Sequence, residues 1–115
     1  MVTPIVFFDL AGPDEAALRV FYRDVFDWPC DGPGSFTPGN AANLGTHIRQ
    51  DPAEKRIYLG VPDVTAALDK VVAAGGGVDQ PRFEVPGQAV IGLFSDVAGN
   101  PMGLIEMDGD TPVVP

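Results

Sequence analysis

Apolar and polar positions alternate twice along this chain, and each alternating run leads into a stripe of helical period. In the first run Val6, Phe8 and Leu10 face one way and Ile5, Phe7 and Asp9 the other, which predicts a strand from Ile5 to Leu10. Ala11-Gly12-Pro13 breaks it. Pro13 suits a first helical turn, and Asp14 and Glu15 complement a helix N-terminus. Leu18, Phe21, Tyr22, Val25 and Phe26 then fall at helical spacing, which predicts a helix packing that stripe, Phe21 included, into the core. The second run is cleaner. Ile57, Leu59 and Val61 oppose Arg56, Tyr58 and Gly60, Asp63 is a good N-cap, and Val64, Ala67, Leu68, Val71 and Val72 repeat the stripe up to Gly75-Gly76-Gly77.

The remaining elements are shorter. Asp27 to Asn40 is rich in Gly and Pro and predicts short strands and turns. Ala41 to Arg49 reads as a strand, with Leu44, Thr46 and Ile48 opposite Asn43, Gly45, His47 and Arg49, and Gln50 to Lys55 as a polar connector. Val78 to Glu84 contains Pro81 and precedes Pro86, as an edge strand can. Ala89 to Ser95 and Met102 to Met107 flank a tight turn at Asp96 to Asn100, where Gly99 takes the position needing positive φ. Asp108 to Pro115 reads as a frayed tail. Ala16-Ala17-Leu18 and Ala66-Ala67-Leu68 stand fifty positions apart and open the two helices. The expected fold is therefore α+β: one domain over residues 1–115, built from two βαβββ modules (about 4–49 and 55–107) that pair into a curved mixed sheet, with a concave groove and the helices outside.

Composition narrows the function classes. Of 115 residues, 45% are apolar and 20% charged, enough for one unstapled core. The net charge of −9 argues against nucleic acid and anionic membranes and is compatible with a neutral or cationic small ligand, or with charge kept for solubility. No signal peptide and no membrane-spanning run is read. Cys30 has no disulfide partner, so a reducing, cytoplasmic setting is expected.

Phe21-Tyr22-Arg23-Asp24-Val25-Phe26-Asp27-Trp28 resembles the helix end of the vicinal oxygen chelate superfamily. Tyr58-Leu59-Gly60-Val61-Pro62-Asp63-Val64 and Asp96-Val97-Ala98-Gly99-Asn100-Pro101-Met102-Gly103-Leu104 resemble its second module, with the glyoxalase, bleomycin-resistance and dioxygenase-like proteins as the nearest branch. The resemblance spans residues 4 to 107. It implies a homodimer, to which the edge strand around Val78 to Glu84 adds, and metal-ligand positions on the first and last strand of each module. Here those positions fall on Phe7, on Thr46 or His47, on Arg56 and on Gly103. Phenylalanine and glycine have no donor atom and a guanidinium repels a cation, so no metal cofactor is expected.

The candidate ligand-binding residues are Phe7, Asp9, His47, Arg56, Tyr58 and Gly103. His47, the only imidazole, is a candidate general base, or a plain polar residue at a strand edge. Asp9 is the other catalytic candidate. It shares a face with Phe7, and Arg56 is its expected partner, in a pair that either is structural or reads a polar ligand group. Tyr58 either reaches a ligand or fills the core, Phe36 is a further aromatic candidate, and Glu106 sits one register off the ligand face. The leading expectation is a protein that binds a small apolar or aromatic molecule without the family metal. The alternatives are a metal-dependent lyase, isomerase or dioxygenase using His47, Asp9 and Glu106, and a non-catalytic interaction module. Whether any reaction is catalysed stays open at this point.

Overall fold

The computed structural model describes residues 2–30, 32, 34, 36–38 and 44–115. It is an α+β fold with parallel and antiparallel strand pairs, in the order β1 (Ile5–Gly12), α1 (Glu15–Phe26), β2 (Gly45–Gln50), β3 (Glu54–Val61), α2 (Val64–Ala73), β4 (Gly77–Val85), β5 (Ala89–Ser95), β6 (Pro101–Asp108) and β7 (Thr111–Pro112). Its contacts divide it into two compact units, residues 6–56, and residues 1–5 with 57–115.

In the 6–56 unit β1 and β2 run parallel, with Phe8 opposite Thr46 and Leu10 opposite Ile48. α1 is the crossover that parallel pairing requires. Thr46 and Ile48 are fully buried, and the Thr46 hydroxyl donates to the Phe8 carbonyl at 3.0 Å, so the buried oxygen is satisfied. β2 begins at Gly45 rather than Ala41, residues 41–43 lying outside the described ones. Of the short strands expected over 27–40, the described residues keep one antiparallel bridge, Phe36 to Thr46. That bridge occupies both backbone groups of Thr46, and Arg19 Nη2 takes the Ile48 carbonyl at 2.8 Å. Backbone groups of β2 that would otherwise template another strand are thereby engaged.

Both helices start on an aspartate whose carboxylate accepts from the amide three residues on, Ala17 for Asp14 and Ala66 for Asp63, each at 3.0 Å. The caps are 49 positions apart, not 50. Counted from them, Arg19 corresponds to Leu68 and Leu18 to Ala67. Leu68 is 5% exposed in the core of its unit; Arg19 is 7% exposed, held by Glu15, Ile48 and the Gly32 carbonyl. α1 is thus rolled toward Arg19. Phe21, expected in the core, is 52% exposed, and Val25 and Phe26 are exposed beside it. The helix ends on Asp27 in the left-handed region, φ 58°, a conformation aspartate tolerates better than most residues.

In the other unit β6 pairs parallel with β3 and antiparallel with β5, and β4 closes on β5. α2 lays Val64 and Leu68 onto Val61, Phe94 and Leu104. Gly99 takes φ 88° in the β5–β6 turn, where the Asp96 carboxylate accepts from the Ala98 and Asn100 amides. The tail is not frayed: Thr111–Pro112 pairs with β6, Val113 donates to the Glu106 carbonyl, and the Pro115 carbonyl accepts from Gly87.

Leu68→Ala is expected to cost about 2–5 kcal/mol, because a fully packed side chain is removed. Phe21→Ala is expected to cost only about 1 kcal/mol, the ring being half in water already. Urea melts of the two variants check the rolled helix; equal losses would contradict it.

Candidate functional site

Strand alternation sorts the candidates by face. In the 6–56 unit Phe8 packs edge-on against Trp28 at 6.2 Å between centroids, and Leu10 shares a cleft with Leu18 and Tyr22, so Phe8 and Leu10 lie on the α1 side. Phe7 and Asp9 then lie on the opposite face, with Gly45 and His47 beside them in register. In the other unit the helix side holds Leu59 and Leu104, so Tyr58 and Gly103, also paired in register, lie on the opposite face. The two modules repeat one device there. A ring on the first strand covers a glycine on the parallel neighbour. A Cβ at Gly45 would come within 3.0 Å of the Phe7 ring, and one at Gly103 would overlap the Tyr58 ring. Tyr58 is 6% exposed. Phe36, the remaining aromatic candidate, packs against Trp28 at 5.8 Å between centroids.

Next to the Phe7 ring runs a chain of charges. Arg49 Nε and Nη2 donate to the two oxygens of Asp9 at 3.2 and 3.4 Å, Nη1 to Asp51 at 2.8 Å, and Nη2 to Glu54 at 3.1 Å. Glu54 accepts on its other oxygen from Arg56 Nε at 2.9 Å, and its ion pair to Arg56 Nη2 is 2.6 Å. The expected partners Asp9 and Arg56 therefore belong to one network, linked through Arg49 and Glu54. Neither linker was singled out from sequence, although Arg49, Asp51, Glu54 and Arg56 lie within eight residues as a cluster of mixed charge that could have been found. Asp9 and Arg56 are both buried, and a buried charge is tolerable only when paired this way. Burial pushes the Glu54 carboxyl up, but the hydrogen bonds from Arg49 and Arg56 outweigh it and hold it below the usual carboxylate range. Burial works against the Arg49 charge, and bonds to Asp51, Asp9 and Glu54 more than restore it. Burial, then the Arg19 charge, keeps the His47 imidazole below its ordinary value of 6.5. Glu106 lies on the α2 side, as its register predicted. It accepts from Arg82 and from the Val64 amide at the helix N-terminus, and its carboxyl is held low by them.

No family model matches the chain. A curated protein named "Putative glyoxylase CFP32" in Mycobacterium tuberculosis (strain CDC 1551 / Oshkosh), and its counterpart in Mycobacterium bovis, are 29% identical over 111 residues, 84% of this chain. The chain spans only 42% of the length of these relatives. Among solved structures, methylmalonyl-CoA epimerase from Mycobacterium tuberculosis superposes with a TM-score of 0.67 at 10% identity, over 90% of this chain and 87% of that one. A mutant of 4-hydroxymandelate synthase from Streptomyces coelicolor gives 0.64 at 15% identity, over 90% of this chain and 38% of that one. These proteins are vicinal oxygen chelate superfamily members. The chain shares the fold of these proteins.

The superfamily's metal can now be tested against the residues. Phe7 and Gly103 offer no donor, and Arg56 brings a positive charge. Among the described residues no group of three His, Cys, Asp or Glu side chains could hold an ion. The carboxylates of Asp9, Glu54 and Glu106 are engaged by guanidinium groups. This donor set does not fit the metal, and no chemical step is routed through one.

Glu54 joins two guanidinium groups, so Glu54→Gln is expected to cost about 1.5–3 kcal/mol at neutral pH. Its folded pKa is depressed, so the stabilisation is present above the unfolded value and is lost as pH falls through the folded one. Denaturant melts of wild type and variant should therefore converge in acid. His47 has the same sign for a different reason, since the folded chain disfavours the imidazolium. Stability should fall as pH drops below about 6.5, and His47→Gln should flatten that slope. A wild-type profile level between neutrality and that acid range would contradict the assignment.

Proposed function

We propose that this chain binds a small apolar or aromatic molecule without the superfamily's metal, on the strand face that carries Phe7, Asp9, His47 and Arg56. Tyr58 and Gly103 have the corresponding place in the second module. The observation that carries this reading is the ring-over-glycine packing: at two positions where a ligating side chain is otherwise expected stand the Phe7 ring and Gly103, the latter covered by the Tyr58 ring. Aromatic walls beside a few oriented polar groups are the usual make-up of a small-molecule site. The network from Asp9 to Arg56 supplies the polar groups, and His47 supplies an imidazole that is neutral at physiological pH. Solved neighbours add support for a small ligand. One methylmalonyl-CoA epimerase is in complex with methylmalonyl-CoA, and another with 2-nitronate-propionyl-CoA. The reading includes a homodimer in a cytoplasmic, reducing setting, from the superfamily resemblance and the single cysteine Cys30.

Elemental analysis of purified protein tests the metal-free part. Less than stoichiometric divalent metal is expected, and one tightly held ion per chain would overturn it in favour of a metal-dependent lyase, isomerase or dioxygenase. A thermal-shift panel of small aromatics tests the binding part. Stabilisation by at least one compound, weakened in Phe7→Ala, is expected; no shift with any compound would favour an interaction module instead.

A further inference from the structure

Arg49 spends its donors unevenly. Strand alternation puts it on the face of Phe7 and Asp9, opposite Ala11, from where it reaches back to Asp9. A guanidinium carries five N–H groups in one plane. Nε and Nη2 donate to the two oxygens of Asp9, and Nη2 donates to Glu54 as well. Both of these carboxylates are fixed in place, Asp9 by burial and Glu54 by a second bond, from Arg56. Nη1 differs. It donates to Asp51 at 2.8 Å, and among the described residues its second N–H has no acceptor. Asp51 lies on the connector between β2 and β3, its side chain is 52% exposed, and the contact to Arg49 is the one bond its carboxylate makes among the described residues. The open donor of Arg49 and its most exposed partner therefore sit on the same nitrogen.

We propose that Nη1 of Arg49 receives the carboxylate of an aromatic monocarboxylate whose ring lies on Phe7, and that Asp51 is a built-in occupant which the ligand displaces. This inference rests on the small-molecule reading above and names its ligand class. Exchanging one carboxylate for another leaves the charge at the guanidinium unchanged. Asp51 is a weak competitor, because an ion pair this open to water contributes little, and it gains hydration as it leaves. The net charge of −9 repels an anion at long range, so the preference has to arise at contact. It comes from a charge-assisted hydrogen bond that a neutral ligand cannot make. Spacing sets the length of the ligand. Phe7 and Asp9 stand about 7 Å apart along β1, with the guanidinium at Asp9, which suits a phenyl ring joined to a carboxylate through about two carbons.

Calorimetric titration with 3-phenylpropanoate and with its neutral isostere 3-phenylpropanamide tests the proposal. Wild type should bind the carboxylate about fivefold more tightly than the amide, as a charge-assisted bond exceeds a neutral one. Asp51→Asn, at an exposed position, should raise the carboxylate's affinity about fivefold again and leave the amide's where it was. Asp27→Asn removes the same charge from the α1 side of this unit, at a left-handed position that asparagine tolerates, and should change neither affinity. Equal affinities for the two compounds overturn the carboxylate inference and leave the small-molecule reading standing. So does an Asp51→Asn variant without the gain, or a gain that extends to the amide or is reproduced by Asp27→Asn. If neither compound binds while another small aromatic still stabilises the chain, this inference alone falls; if no aromatic binds at all, both fall.

Discussion

A ring lying on a glycine, once in each module, is the contact that decides what the candidate face can be. Glycine inside a strand gives up side-chain packing, and an aromatic neighbour restores it by covering the bare backbone. At Tyr58 and Gly103 the fit admits no Cβ at all; at Phe7 and Gly45 it is nearly as close. Any longer residue at Gly103, a carboxylate included, would have to expel the Tyr58 ring. The glycine is thus not merely a lost ligand. It is one half of a packed pair, and the other half removes the space a ligand would use.

The charged network gives the same face its second property. Asp9 is 4% exposed, a position where an ionised carboxylate needs strong compensation. Arg49 supplies it bidentately and also reaches Asp51 and Glu54, so the connector between β2 and β3 is tied to the strand face by charge. Glu54 passes the constraint on to Arg56. The carboxylates of this face are committed to guanidinium groups. On the proposed reading, such a face recognises its ligand through rings, the imidazole of His47 and oriented hydrogen bonds.

Much of this was legible in the sequence, for reasons that can be named. The alternations along β1 and β3, the aspartate caps and the Gly99 turn are local signals, and the structure keeps them. The facing of Phe7 and Asp9 followed from the same period of two. The failures were not local. The stripe Leu18, Phe21, Tyr22, Val25, Phe26 promised a buried face centred on apolar residues, whereas Arg19 turned the helix by bonding to carbonyls brought near only by the fold. Arg49 and Glu54 were passed over because each looks like an ordinary surface charge until β2 and the connector bring them together. The tail carries no periodicity, and its order depends on backbone partners contributed by Glu106 and Gly87.

The central proposal is that neither the strand face bearing Phe7 and His47 nor the one bearing Tyr58 and Gly103 holds a divalent ion. The most direct measurement is a cobalt(II) titration of the isotopically labelled chain, followed by the amide signals of Gly45, His47, Tyr58 and Gly103. The account predicts that stoichiometric cobalt leaves all four unbroadened. Selective broadening of these signals, saturating at one ion per chain, would contradict it.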